Sequence, residues 1–134
     1  MKNLLPAIIG LLLLASCSNN YGTKVSKEYL EVFYKEGISK EMAEKTLDYL
    51  LPEWRDDGEK TKTKSVQLSK NGDTIVFKAV SVMEVMNKMD ETVFYNMGSE
   101  LSAKLYNNAP VNVVLTDEKF KPLRTYVFRK SEPA

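Results

Sequence analysis

The residues most able to do chemistry in this sequence are carboxylates, which occur in three short clusters. Such side chains can bind calcium or magnesium when they recur at alternate positions of a binding loop. None of the clusters has that spacing, so we interpret them as solvated charges in turns and predict no metal site. The clusters are Asp56, Asp57 and Glu59, then Asp90 and Glu91, then Asp117 and Glu118.

The sequence lacks the residues that usually activate a catalytic nucleophile. The 134 residues include no histidine, the commonest general base near neutral pH. Ser65, Ser69 and Ser102 therefore have no imidazole to activate them, and a lysine base would require a buried environment. Glycine-rich phosphate loops, nucleophile elbows and zinc-ligand spacings are also absent from the sequence. These observations predict a protein that is not an enzyme and that uses no cofactor.

The single cysteine, Cys17, lies at the end of an export signal. A positive start at Lys2 is followed by an apolar run from Leu4 to Leu14 and then by small residues. The motif Leu14-Ala15-Ser16-Cys17 resembles the lipobox of bacterial lipoproteins. The resemblance implies cleavage between Ser16 and Cys17 and diacylglycerol on the cysteine, with an acyl chain such as palmitate on the new amino terminus.

The alternative to an export signal is a membrane-spanning helix. A span requires about 20 apolar residues, whereas the run from Leu4 to Leu14 has eleven and includes Pro6. We therefore predict a signal peptide at 1–16, a lipidated polar tether at 17–26 and one domain at 27–134. Ser18 after the cysteine resembles an outer-membrane address, which predicts a lipid-anchored protein on the periplasmic side of the outer membrane.

Charge excludes one class of partner. The chain has 19 basic and 18 acidic residues, and removal of residues 1–16 takes away Lys2 alone. A balanced, exported domain is a poor ligand for nucleic acid, so we predict none. The predicted membrane contact is through the lipid anchor only, and an envelope protein or a second copy of the chain is the expected partner.

The periodicity of apolar residues predicts the elements that would position any site. Strands are predicted at 29–35, 111–116 and 123–128, with a helix capped by Ser39 and a second helix that begins near Asp90. A hairpin is predicted around Asn71-Gly72, with Leu68 opposite Ile75 and Val66 opposite Phe77. The second helix should pack an apolar stripe of Phe94, Met97, Leu101 and Leu105.

Strand, helix, hairpin, helix and strand is the element order of a ferredoxin-like βαββαβ sandwich. We therefore predict an α+β domain with two helices on one face of an antiparallel sheet and an extra edge strand. From about Leu30 to Phe128 the chain also resembles an uncharacterised bacterial domain of this fold. The resemblance rests on SKEMAEKTLDYL, KSVQLSKNGDTIVF and SELSAKLYNNAPVNVVLTDEKFKPLR. It implies the fold and assigns no activity or catalytic residue.

Alternation along the strands predicts which side chains lie opposite the helices. These are Tyr29, Phe33, Val76, Lys78 and Val114, which we expect to form a partner-binding face. The competing interpretation is structural, with the tether or the carboxyl end of the chain folded over the aromatic residues. We expect a lipid-anchored binding or assembly module of the cell envelope, and the alternative is a small envelope hydrolase with an unrecognised site.

Overall fold

The computed structural model describes residues 21–54 and 63–130. The predicted signal peptide, Ser16, Cys17 and the cluster at Asp56, Asp57 and Glu59 lie outside these ranges. Six strands and three helices are found in the described part of the chain. In order they are β1 (Thr23–Lys27), β2 (Leu30–Tyr34), α1 (Lys40–Glu53), β3 (Lys64–Asn71), β4 (Thr74–Val80), α2 (Met83–Lys88), α3 (Glu91–Lys104), β5 (Val111–Thr116) and β6 (Pro122–Phe128).

The strands form one mixed sheet in which the spatial order follows the chain order from β1 to β6. β2 is parallel to β3 and β4 is parallel to β5, whereas the other three neighbouring pairs are antiparallel. The face of the sheet that packs against α1 and α3 is called the inner face, and the opposite one the outer face. Each helix therefore connects two strands that lie directly beside one another.

The hydrophobic core lies between the inner face and the helices, and the predicted apolar stripe of the second helix packs into it. Leu101 of α3 is fully buried, and the ring of Phe94 stacks on Tyr126 of β6 with centroids 4.8 Å apart. Met97 and Leu105 complete the predicted stripe as partly buried side chains against the core. The buried inward residues of the strands are Leu30, Val32, Val66, Leu68, Ile75, Phe77, Val111 and Val113.

Both predicted helix starts are confirmed by capping hydrogen bonds. The backbone N–H of Met42 donates to Ser39 Oγ at 3.0 Å, and that of Thr92 donates to Asp90 Oδ1 at 2.9 Å. Short oxygen-bearing side chains satisfy the free N–H groups of a first helical turn, which explains why the sequence locates these ends well.

The α+β class is correct, but the predicted ferredoxin-like arrangement is not observed. The sheet has six strands in sequential order with two parallel neighbouring pairs, whereas the prediction was an antiparallel sheet. Periodicity along the chain predicts where elements begin and which face is apolar. It does not determine whether the strand after a helix pairs directly with the strand before that helix or lies one strand further along the sheet.

The hands of the two helical connections follow from this topology. Both connections step in the same direction across the sheet, but β2 and β4 run in opposite directions. Thr46 of α1 bonds to Tyr106 after α3, which places the helices on one face. Two such connections must have opposite hands, so one departs from the right-handed form that strongly predominates in proteins.

The predicted tether is partly wrong, because residues 23–26 belong to β1. This strand pairs antiparallel with β2, and Val25 lies opposite Val32. Val25 is its only partly buried residue, and the other four are exposed. A short, exposed strand that contains Lys24 and Lys27 has little apolar alternation, so its sequence does not distinguish it from a polar tether.

The predicted hairpin between β3 and β4 exists, but its register differs from the prediction. Leu68 lies opposite Phe77 rather than Ile75, and Asn71 lies opposite Thr74. The turn residues are Gly72 and Asp73, and Gly72 has a φ of 63°. Glycine at the first turn position with positive φ fits a type II′ turn, so Asn71 remains in the strand. The partner shifts by two residues, which leaves every side chain on its predicted face.

Candidate functional site

Four of the five residues predicted for a binding face lie on the outer face. Phe33, Lys78 and Val114 occupy one row of directly paired residues that crosses the sheet, with Gln67 between Phe33 and Lys78. Val76 lies in the adjacent row, paired with Ser69 on one side and Asn112 on the other. The alternation of side chains in β2, β4 and β5 was therefore sufficient to bring these four residues together.

Tyr29 does not lie on that face, so its assignment to the binding face is wrong. Its hydroxyl donates to the backbone oxygen of Leu51 at 3.2 Å, and Lys64 Nζ lies 5.4 Å from the centre of its ring. Glu28 has a φ of 55°, so a turn precedes β2 and the strand alternation begins at Leu30. Tyr29 joins the end of α1 to the sheet.

Three aromatic rings, called the aromatic trio, cover the Phe33 end of the outer face. Tyr21 lies 5.7 Å from Phe33 and 5.1 Å from Phe120, and Phe33 lies 5.8 Å from Phe120, all between ring centroids. All three pairs meet edge to face, the geometry that aromatic quadrupoles favour. Tyr21 comes from the predicted tether and Phe120 from the β5–β6 connection, so the chain itself covers Phe33.

Hydrogen bonds and burial hold the aromatic trio in place. Gln67 is 2% exposed, and its Nε2 donates to the backbone oxygen of Tyr21 at 3.0 Å. Phe120 is buried and has a φ of 60°, a conformation that non-glycine residues rarely adopt. This end of the outer face is therefore a second, small core. The interpretation that the tether covers the aromatic residues fits Phe33 better than partner binding does.

The rest of the outer face carries positive charge, and its Val114 is buried. Burial lowers the pKa of Lys78, and the nearby positive charge of Lys35 lowers it further. Asn112 has a buried Oδ1 with no hydrogen-bond partner among the described residues. An anion beside the two lysines would relieve their repulsion, and a donor near Asn112 would satisfy its oxygen. The residues here can bind a polar group but include no nucleophile paired with a base.

The exposed large apolar side chains are concentrated in another part of the molecule. Every large hydrophobic residue that is exposed in the described part of the chain lies either at 82–95 or in β6. We call this area the β6–α2 surface. Its residues are Val82, Met83, Val85, Met89, Val93, Tyr95, Leu123 and Val127.

Contacts from the helix-facing side of β6 hold α2 and α3 beside this strand, whereas Val127 pairs with Asn112 on the outer face. Met86 of α2 is 1% exposed and anchors the helix in the core. Arg124 of β6 donates from Nη1 to the Met86 backbone oxygen at 3.4 Å and from Nη2 to Asn87 Oδ1 at 2.5 Å. Tyr95 meets Tyr126 edge to face with centroids 5.5 Å apart. An open depression of about 480 Å³ borders the same area between Val82 and Leu123.

Sequence reasoning missed α2 and therefore missed most of this surface. The available signal was the recurrence of methionine at every third position, at Met83, Met86 and Met89. That spacing fits one helical face, but α2 has only six residues and buries Met86 alone. A single buried residue is too little for a periodic pattern to reveal.

Two of the acidic clusters have structural roles. The carboxylate of Asp90 caps α3, and its bond from the Thr92 backbone lowers its pKa. Asp117 Oδ1 accepts from the backbone N–H groups of Lys121 at 2.9 Å and Lys119 at 2.8 Å, which lower its pKa. Within residues 21–54 and 63–130, no group of three histidine, cysteine or acidic residues could hold a metal ion.

No helix in the described ranges is both long enough and apolar enough to span a membrane. Comparison with curated proteins and with solved structures yields no match to this chain. Residues 24–126 match the sequence model described as the AF_1994_N family N-terminal domain, an uncharacterised domain family. The match includes all of β2 to β5 and more than half of the chain, and on this basis the protein belongs to that family.

Proposed function

We propose that this protein is a lipid-anchored module of the cell envelope that binds another protein and does no catalysis itself. The observation that carries the proposal is the confinement of exposed apolar side chains to the β6–α2 surface. A concentration of exposed large apolar side chains in one part of a soluble domain favours partner binding there. The methionines Met83 and Met89 add flexible side chains that can adapt to a partner.

The anchoring part of the proposal is supported by the export signal and by Leu14-Ala15-Ser16-Cys17. Lipid on Cys17 would hold the domain at a membrane, since each buried methylene contributes about 0.8 kcal/mol and two acyl chains together give stable attachment. Ser18 favours the periplasmic side of the outer membrane. A domain restricted to a membrane surface encounters envelope partners at a raised effective concentration, so a modest binding surface suffices.

The two edges of the sheet differ in a way that supports binding at β6. Among the strands of residues 21–54 and 63–130, β1 and β6 are terminal and each has one unpaired side. β1 exposes Lys24 and Lys27 and has no exposed large apolar side chain, which is how proteins protect an edge. β6 instead exposes Leu123 and Val127, each more than 40% accessible.

Site-directed cross-linking in the native envelope tests the proposal. Val85→Lys in α2 and Val127→Lys in β6 place a charge on the β6–α2 surface, and Ser26→Lys places the same charge on β1 as a matched control. All three residues are exposed, so the melting temperature should change little. We expect the first two variants to lose cross-linked partner and the control to retain it. Retention of the same cross-linked species in all three variants would refute binding through this surface.

A further inference from the structure

We propose that β6 receives an extended, acidic segment of the partner as a seventh strand of the sheet. The inference rests on the proposed function, because it specifies the partner that the β6–α2 surface binds. Strand addition of this kind obtains affinity from main-chain hydrogen bonds and specificity from alternate side chains.

The backbone of β6 supplies an available edge. β6 pairs with β5 on one side only, from Pro122 opposite Thr116 to Phe128 opposite Val111. No other strand in the described ranges lies on its second side. Its seven residues exceed the five of β1, and they are long enough to pair with an extended peptide.

The charge around β6 favours an acidic partner. The segment from Lys119 to Lys130 contains five basic residues and no aspartate or glutamate. Arg124 is already engaged with α2 through its hydrogen bond to Asn87. The others are Lys119, Lys121, Arg129 and Lys130, all with exposed side chains. Lys119 and Lys121 lie close enough to Asp117 for their charges to lower its pKa. The described ranges show no ion pair of Arg129 or Lys130 with a carboxylate.

These charges lie at both ends of the strand, with the apolar side chains between them. Lys119 and Lys121 precede β6, whereas Arg129 and Lys130 follow it. A partner strand with carboxylates near its ends and branched apolar residues in its middle would match both features. Opposite charges on directly paired strand residues are stabilising, and like charges are destabilising.

The same charges argue against a second copy of the chain as the occupant. Antiparallel pairing of two β6 strands about a two-fold axis at Thr125 would place Leu123 opposite Val127, which is favourable. The same axis would place Lys121 opposite Arg129 at both ends of the pair. Like charges in direct opposition disfavour this dimer, whereas carboxylates in those positions favour an acidic strand.

Fluorescence anisotropy of labelled peptides with the full lipidated chain in detergent micelles tests the inference. The probe is a peptide that spans β6, with glutamates near its two ends and valines in its middle. One control replaces each glutamate by lysine, and another N-methylates alternate backbone nitrogens, which blocks strand pairing but keeps the side chains. We expect binding of the probe alone, with at least a tenfold weaker affinity for both controls, since this binding mode depends on main-chain hydrogen bonds and complementary charge.

Two charge variants provide the matched protein controls. Arg129→Glu with Lys130→Glu should weaken binding of the probe at least tenfold, whereas Lys40→Glu with Lys70→Glu makes the same charge change elsewhere and should not. Equal binding of the acidic and basic peptides, or full binding of the N-methylated peptide, would overturn the inference. So would concentration-dependent dimerisation in ultracentrifugation that Val127→Lys abolishes.

A membrane surface is the other possible source of negative charge. Transfer of the protein to phosphatidylglycerol vesicles, reversed by Arg129→Glu with Lys130→Glu while the peptide does not bind, would overturn the inference in favour of lipid headgroups. The cross-linking experiment distinguishes failure of this inference from failure of the proposed function. Cross-linking that is lost in Val85→Lys and Val127→Lys but unaffected by the charge variants would support the β6–α2 surface and reject the acidic strand.

Discussion

Thr46 Oγ1 and the Tyr106 hydroxyl lie 2.9 Å apart in the core and join α1 to the end of α3. Thr46 already donates its single hydrogen to the Met42 backbone oxygen at 2.9 Å, so Tyr106 must donate to Thr46. Both residues are almost fully buried, at 0% and 3% exposure. Buried hydroxyl groups require hydrogen-bond partners, and this bond provides one for each of the two side chains.

Removal of the Tyr106 hydroxyl should therefore destabilise the fold. We expect Tyr106→Phe to lower the free energy of unfolding by about 1 kcal/mol, the usual effect of losing one buried hydrogen bond. The measurement is chemical denaturation of the variant. A double-mutant cycle with Thr46→Val should show coupling between the two residues, and strictly additive effects would contradict the bond.

Alkaline pH should destabilise the protein through Tyr106. Burial raises its pKa above the ordinary value, and the bond to Thr46 opposes that shift only in part. Above about pH 10 the unfolded chain loses this proton and the folded chain keeps it. The contribution of Tyr106 to the free energy of unfolding is therefore fully present below that pH and decreases above it. The loss should be about 1.4 kcal/mol for each pH unit relative to Tyr106→Phe. Parallel stability curves for the two proteins would disprove this linkage.

Close approach of α3 to β6 at Gly98 predicts that alanine is not tolerated there. A Cβ at this position would lie 2.9 Å from Phe128 Cβ and 3.3 Å from Val113 Cγ2. Alanine gains about 1 kcal/mol of helix propensity, but overpacking costs about 1 to 3 kcal/mol. We expect a net loss in Gly98→Ala by denaturant melts. Asn96→Ala, at an exposed position of the same helix, should be neutral or stabilising, and the same result at Gly98 would refute the contact.

The aromatic trio predicts unequal effects of two outer-face substitutions. Phe33→Ser removes the ring that Tyr21 and Phe120 both contact, and it should lower unfolding free energy by about 3 kcal/mol. Val76→Lys changes a partly exposed residue outside the trio and should cost no more than about 1 kcal/mol. Thermal melts of the two variants measure the difference. If Phe33→Ser melts like the unmodified protein, Phe33 is available as a docking residue after all.

Cys17→Ala tests the lipid anchor. Without the thiol no thioether can form, so the variant should remain an unprocessed or unlipidated product. Metabolic labelling with a lipid precursor and mass spectrometry of the purified chain measure both effects. Normal processing together with normal labelling would exclude lipidation at this cysteine.

Local rules allowed several features to be predicted from the sequence alone. Ser39 and Asp90 cap their helices because a capping side chain bonds to backbone only two or three residues away. Side-chain faces were also predictable, because strand alternation has a period of two residues. Phe33, Lys78 and Val114 therefore shared a face as expected, and the β3–β4 hairpin kept its faces when Leu68 took a different partner.

Only the tertiary structure decided which elements are neighbours. β1 is a strand because β2 offers it backbone partners, and α2 is held by one buried methionine and by Arg124. Tyr21 and Phe120 cover Phe33 although they are distant from it in the chain. These contacts depend on the relative free energies of alternative packings of the whole domain. The packing observed includes one helical connection that is not right-handed. Local periodicity does not report that balance of free energies. The balance decides that β6, with Leu123 and Val127, is a terminal strand in the described part of the chain.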